Sequence, residues 1–313
     1  MCIRDSGNSK ANPPVPYINT SVFDFYWGDV VNGERLIDAQ FWSSTAYVGK
    51  TMGGDLSAFG VNFADGRIKS YPRVKSMFNF TFTAYVRCVR GRESYGMNNF
   101  VDNGDGTITD LSTGLMWMKS DSGEAMNWED ALAYSENLDY AGYSDWRLPN
   151  AKELQSIVNY SFAPDAIDES LQRPAIDPIF ELSNETAWFW TSTTHLEGPG
   201  FSAAAYIAFG LAMGYLDTPS GKMYTDVHGA GAQRSDPKSG DPADYEGGLG
   251  PQGDEIRIYN YVRCVRSVND TQNVKNNSNT NKAKIEYFAI LSLIHISEPT
   301  RPLYISYAVF CLK

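Results

Sequence analysis

The chain has 313 residues and a formal net charge of −11, with 37 Asp and Glu against 26 Lys and Arg. That length suits about two domains, each able to bury its own core, and excludes a disulfide-stapled miniprotein. The acidic balance excludes a general polyanion binder, because nothing in the bulk electrostatics favours nucleic acid, an anionic membrane or a sulfated polysaccharide.

In chain order, Met1 to Ser6 (MCIRDS) and, far downstream, Ser292 to Pro302 (SLIHISEPTRP) resemble translated sequencing adapter. Residues 1–12 are therefore expected to be artefact and linker, and 291–313 adapter-like artefact. The start of the sequence then carries no information about a signal peptide. Tyr287 to Ile296 is apolar but is interrupted by Ser292 and His295, well short of the ~20 residues of a membrane span. Setting these ends aside removes Cys2, Cys311 and His295 from the argument. His195, His228, Cys88 and Cys264 remain, and they show neither zinc spacing nor a CxxC pair.

An internal repeat follows. Phe41-Trp42-Ser43-Ser44-Thr45 recurs as Phe189-Trp190-Thr191-Ser192-Thr193, Ala58–Pro72 lines up with Ala205–Pro219, and both copies close on the string YVRCVR, at 85–90 and 261–266. Matches in one order predict tandem copies of one domain: 13–92 as a truncated, C-terminal half and 95–267 as a complete copy. Within the first, Asp65-Gly66 in the middle of Val61–Tyr71 predicts a tight hairpin. Residues 268–290, polar and Asn-rich, read as a disordered linker.

In the complete copy, Phe100-Val101-Asp102 and Thr107-Ile108-Thr109 flank Asn103-Gly104-Asp105-Gly106, a hairpin signal. Leu115 to Met118, including Trp117, reads as the next strand. Asn127 caps a helix whose face is Trp128, Ala131, Leu132, Ser135 and Leu138, with Gly142 expected to end it. Asn150 caps a second helix with Glu153 at N3 and Leu154, Ile157 and Val158 on its apolar face. Strands are expected around Trp188–Thr193, Ala204–Leu211 and Tyr259–Val265. The pattern predicts an α+β fold, mostly antiparallel sheet with two helices.

Asp145-Trp146-Arg147-Leu148-Pro149-Asn150, with the GDGTITDLSTGLMW opening before it and the two repeat strings after it, resembles the carboxy-terminal domain family of a bacterial collagen-like adhesin, the Lcl C-terminal domain. The likeness spans residues 100–266, with 22–91 resembling the second half. It implies a C-type lectin-like fold, tandem copies, secretion or display on a bacterial surface, and binding of host glycans, including sulfated ones. The net charge of −11 opposes a sulfated ligand. Family members carry a cysteine in the helix before DWRLPN, at the place of Ser135, partnering the cysteine of the closing strand. With serine there, Cys264 reads as a small buried thiol. A Cys88–Cys264 bridge between copies is the other pairing.

Asp102 and Asp105, alternating with glycines, resemble part of a calcium loop. The later bidentate Glu is missing, and a hairpin turn demands the same residues. No cofactor is expected, with calcium the lesser alternative. Trp117, Trp146, Arg147, Trp190 and Cys264 read as structural, Arg147 in a buried ion pair. The run Thr191–Thr194 lacks a GxSxG elbow and reads as strand patterning. The stretch Asp217–Glu255 reads as one long irregular surface loop, presenting Tyr224, His228, Arg234, Lys238 and Tyr245 to a ligand. The resulting expectation is a non-catalytic, extracellular or cell-surface adhesion module for a glycan or protein. A structural spacer repeat and a polysaccharide hydrolase using an unassigned carboxylate pair are the alternatives.

Overall fold

The computed structural model describes residues 7–74, 79, 81–92, 94–196 and 202–268. The adapter readings at Met1–Ser6 and 291–313, and all but residue 268 of the expected linker, lie outside them.

The first three strands, β1 (Gln40–Ala46), β2 (Ser57–Asn62) and β3 (Ile68–Pro72), form an antiparallel meander. The predicted turn joins the last two, with Gly66 at φ 73. The next hairpin also forms where expected, β4 (Phe100–Asp102) to β5 (Thr107–Asp110), with Gly104 and Gly106 both at positive φ. A Cβ on Gly106 would stand 2.2 Å from the Tyr140 hydroxyl, so this turn needs glycine for close approach as well as for φ. β6 (Leu115–Met118) extends the sheet.

Helix α1 (Trp128–Glu136) starts as predicted, the Asn127 side-chain Oδ1 accepting from the Asp130 amide. It stops earlier than predicted. Leu138 lies beyond its end, and Gly142 shapes a different turn: Ala141 and Gly142 both take positive φ while Tyr140 and Tyr143 exchange backbone hydrogen bonds, the geometry of a tight two-residue hairpin. Helix α2 (Ala151–Ser156) carries the full capping box of Asn150 and Glu153.

β7 (Trp188–His195) and β8 (Ala203–Ala208) pair next, followed by β9 (Met213–Thr218), β10 (Gly221–Asp226) and β11 (Gln233–Pro237). The stretch 217–255 is thus not one irregular loop, because the alternation in 221–226 and 233–237 finds neighbouring strand edges to pair with. The last predicted strand is also corrected: only β12 (Val265–Ser267) forms a ladder. From Asn260 to Val265 the backbone divides its hydrogen bonds among Met126, Trp188, Trp190, Ser122, Met118 and Arg147 rather than along a single neighbour.

The result is antiparallel α+β. A four-stranded sheet, β12-β6-β5-β4, and a six-stranded sheet ordered β1-β2-β3-β11-β8-β7 share an apolar cluster that joins Ile108, Trp117 and Val265 to Phe189 and Ile207. In the larger sheet, β3 pairs with β11 at Ile68 and Gln233, joining the two stretches edge to edge. The halves on either side are built alike. β1 and β7 each carry a bulge, between Trp42 and Ala46 and between Trp190 and Thr194. In each bulge a hydroxyl reaches across to the next strand: Ser43 Oγ donates to the Phe59 carbonyl and Thr191 Oγ1 to the Ala205 carbonyl, both at 2.7 Å. The same hydroxyls accept from Thr45 and Thr193 amides.

These registers correct the repeat alignment. Ala58 occupies the place of Ala204, not Ala205, and Ile68–Pro72 that of Gln233–Pro237, not the residues up to Pro219. A slip of one residue exchanges the two faces of a strand. The extra chain therefore enters between β8 and β11, as the β9–β10 hairpin.

Three apolar clusters fill the interior. One places Met116, Trp146, Trp188, Trp190, Tyr206, Val262 and Cys264 under α1, and another joins Ile108, Trp117, Leu154, Phe189 and Val265. The third draws Phe41, Phe59, Phe63 and Ile68 together with Tyr160, Ala163 and Ala230, so neither half has a core wholly of its own.

Candidate ligand-binding face and buried polar seam

The β9–β10 hairpin sets Tyr224 opposite Tyr215, with ring centroids 4.8 Å apart. It is held down at its base by the Tyr215 amide, which donates to the Gly253 carbonyl. Gly253 sits at φ 59, and a Cβ there would meet the Tyr215 carbonyl at 2.1 Å, so glycine permits this close approach. Lys222 Nζ adds a bond to the Gly247 carbonyl at 2.8 Å.

Tyr224 is 49 % exposed. Its hydroxyl donates to Glu255 Oε2 at 2.9 Å, and Glu255 pairs with Arg257 at 3.2 Å. Arg257 lies 3.9 Å over the Trp188 ring, and its Nη1 donates to the Thr186 carbonyl. Partial burial and the Glu255 carboxylate push the Tyr224 phenol up to about 12, so it stays a donor at neutral pH. The outcome is an aromatic face edged by a fixed carboxylate and guanidinium.

His228 and Arg234 lie elsewhere, in a polar seam where β3 meets β11. Asp254 bridges them: its Oδ1 stands 2.7 Å from His228 Nε2, and its Oδ2 pairs with the Arg234 guanidinium. Burial works against the Asp254 charge, but Arg234 and His228 overcome it and hold the carboxyl well below its usual range. Burial drives His228 down to about 3, so the imidazole is neutral and donates from Nε2. Lys69 occupies in β3 the place of Arg234 in β11. Its amine donates to Gln252 Oε1 at 3.2 Å, and burial, then Arg234, lower it to about 7.

Lys238 faces a third direction, 4.0 Å over Trp128 and bonded to Thr194 Oγ1. Tyr245 is half-buried at the end of a short 3-10 turn, Pro242–Tyr245. The five residues expected on one loop are thus divided between a surface hairpin, a buried seam, a helix contact and a 3-10 turn. His228 and Arg234 are not presented to solvent, because their charges and dipoles are consumed by Asp254.

Asp102 accepts from the Gly104 amide and pairs with Lys119 at 2.9 Å; Asp105 accepts from the Thr107 amide and hydroxyl. Both carboxylates serve the hairpin turn. Among the described residues no group of three or more His, Cys, Asp or Glu is arranged to hold a metal ion.

Trp117, Trp146 and Trp190 are buried. Arg147 makes a two-pronged pair with Glu153, both contacts at 2.7 Å, but its side chain is 41 % exposed, so this pair is a surface feature and not a buried one. It sits at the edge because Arg147 bonds Val265 through its backbone, which aims the side chain outward along α2. Asp145 pairs with Arg266. The motifs DWRLPN and YVRCVR are therefore two sides of one contact.

Cys264 is buried and free, its thiol pushed up to about 11 by burial. Its neighbour is Ser135 Oγ at 3.4 Å. Cys88 is exposed and free, so the Cys88–Cys264 bridge is not formed.

Sequence reasoning missed Lys69, Asp254, Glu255 and Arg257. A signal for Lys69 existed: IKSYP at 68–72 and QRSDP at 233–237 share a cation, a serine and a proline in register. It also missed Tyr47, whose hydroxyl lies 2.5 Å from Asp165 and 2.8 Å from Asp226, a strap between halves built from residues more than a hundred positions apart.

The mostly antiparallel sheet with two helices defines a class, a strand-rich α+β fold. Residues 106–228 match the family model described as Lcl C-terminal domain, so this segment of the chain is similar to that family. The matched segment runs from the β4–β5 turn to His228 and takes in both helices, DWRLPN and the β9–β10 hairpin. Neither the curated proteins nor the solved structures gave a match. Among the described residues no helix is long and apolar enough to cross a membrane.

Proposed function

We propose that the chain is a non-catalytic adhesion module of an extracellular or cell-surface protein, recognising a neutral glycan or the equivalent polar face of a protein through the β9–β10 hairpin. The family is that of a cell-surface adhesin-related module. The observation that carries the ligand reading is the half-exposed Tyr224 beside Tyr215, with Glu255 and Arg257 fixed around it. Aromatic faces edged by held polar groups suit stacking and hydrogen bonding to a ligand. A C-type lectin-like fold and tandem copies belong to the same proposal; the long insert before β11 and the matched bulges support them.

No calcium is assigned a part in this binding. One hydroxyl–imidazole contact among the described residues is that of Ser235 Oγ, 3.2 Å from His195 Nδ1. Burial lowers His195 to about 3, too weak a base for hydroxyl activation near neutral pH. The test is a glycan array followed by titration of the best binder. Tyr224→Ala is expected to weaken binding by about tenfold or more, with chelator making no difference. An array without a saturable binder, using folded protein, would sink the ligand reading. A second reading, a structural spacer repeat, is favoured by the sheet that runs unbroken through both halves. Hydrolase activity is checked by sugar release from the bound glycan, and none is expected.

A further inference from the structure

The two YVRCVR strings hold the same backbone position and meet opposite fates. Tyr85 donates to the Gln40 carbonyl and accepts from the Trp42 amide; Tyr261 does the same with Trp188 and Trp190. The arginine two residues on is also equivalent. Arg87 donates to the Asp24 carbonyl and lies over Phe41, while Arg263 donates to the Glu181 carbonyl and lies over Phe189.

Beyond that point the strings part. Val262 and Val265 are fully buried, whereas their counterparts Val86 and Val89 are 71 % and 57 % exposed. Cys264 is buried and Cys88 exposed. In the second half the covering groups are specific. Ser122 and Met118 donate to the Val262 and Cys264 carbonyls, Arg147 exchanges backbone bonds with Val265, and Asp145 pairs with Arg266. Among the described residues, Val86 to Arg90 have no backbone bond of this kind, and Arg90 has no ion-pair partner.

We propose that the Val86–Arg90 face is a docking surface for a polypeptide half-domain with the pattern of residues 98–158: a β-hairpin, an apolar strand like β6, a helix, and an Asp-Trp-Arg turn whose aspartate pairs with Arg90. Apolar side chains that are fully buried in one half and open in the other mark an interface. The partner's chemistry is that of the segment already seated on the equivalent face. The proposal rests on the equivalence of the halves and not on any glycan ligand.

The experiment joins a duplicate of residues 95–160 through a flexible linker ahead of the full chain and follows N-ethylmaleimide labelling of each cysteine by peptide mapping. In the parent chain Cys88 is expected to label as an open thiol and Cys264 slowly. In the fusion, Cys88 labelling is expected to slow by about tenfold or more, towards the Cys264 rate. Val86→Asp is expected to leave the parent chain folded, since Val86 is exposed there, and to restore fast Cys88 labelling in the fusion. Unchanged Cys88 labelling in the fusion overturns the proposal, as does protection that survives Val86→Asp. Protection that disappears on dilution overturns it too, assigning the face to self-association. No glycan enters this measurement, so its failure is separate from failure of the array.

Discussion

Ser135 and Cys264 sit side by side with an oxygen where a second sulfur would complete a bridge. Ser135→Cys is expected to cross-link to Cys264 under mild oxidation, because the two side chains already point at each other across a buried contact. The chain-entropy gain for so long a loop is about 5 kcal/mol, read as a rise in unfolding midpoint that reductant reverses. At Asp226, burial raises the carboxyl to about 7. The stability tied to its protonated form is present below the unfolded value near 3.8 and is lost as pH rises through about 7. Asp226→Asn imitates the protonated form and keeps a donor towards Tyr47. The variant is expected to match the parent at pH ~3.5 and to exceed it by a margin that grows up to pH ~7 and then levels off in urea unfolding. Comparing variant with parent cancels the opposite trend from His195 and His228, both held near 3. An unchanged pH slope in the variant would refute the assignment.

Among the elements, the bulges explain why a tryptophan is followed by a hydroxyl residue in both strings. Each bulge leaves an amide and a carbonyl out of the ladder, and one hydroxyl satisfies both. Thr191 is buried while Ser43 is half-open. Thr191→Val is therefore expected to cost about 2 kcal/mol and Ser43→Ala about 1 kcal/mol, since solvent replaces the lost partner only at the second site. Chemical denaturation of both variants checks the difference; equal costs would contradict it. Most of these elements were legible in the sequence. Asn127 and Asn150 capped the helices, and the glycines of the 103–106 turn marked the hairpin, because caps and turns are set by residues a few positions apart. The end of α1 was not, since Gly142 serves a Tyr140–Tyr143 turn that only its neighbours define. Nor was the split course of 260–265, whose partners come from six separate positions.

At the scale of the molecule, the seam between β3 and β11 is where the halves depend on each other. Lys69 and Arg234 stand at equivalent positions there, and Asp254 balances the concentrated positive charge. Asp254→Ala leaves Arg234 buried without its carboxylate and is expected to cost about 4 kcal/mol. The double variant Asp254→Leu with Arg234→Met is expected to cost less than the single one, because it removes both charges from the interior. Guanidinium unfolding of the two proteins tests this. The sequence by itself determined the α+β class, the hairpins, the capped helices, the recurrence of two strings and the family resemblance, all of which reside in local spacing. Only the tertiary structure decided that the halves share one sheet, that His228 and Arg234 belong to a buried seam while Tyr224 faces solvent, and that one YVRCVR strand is covered and the other open. Strand order, burial and charge pairing depend on which distant segments meet, and residue spacing along the chain does not encode that meeting.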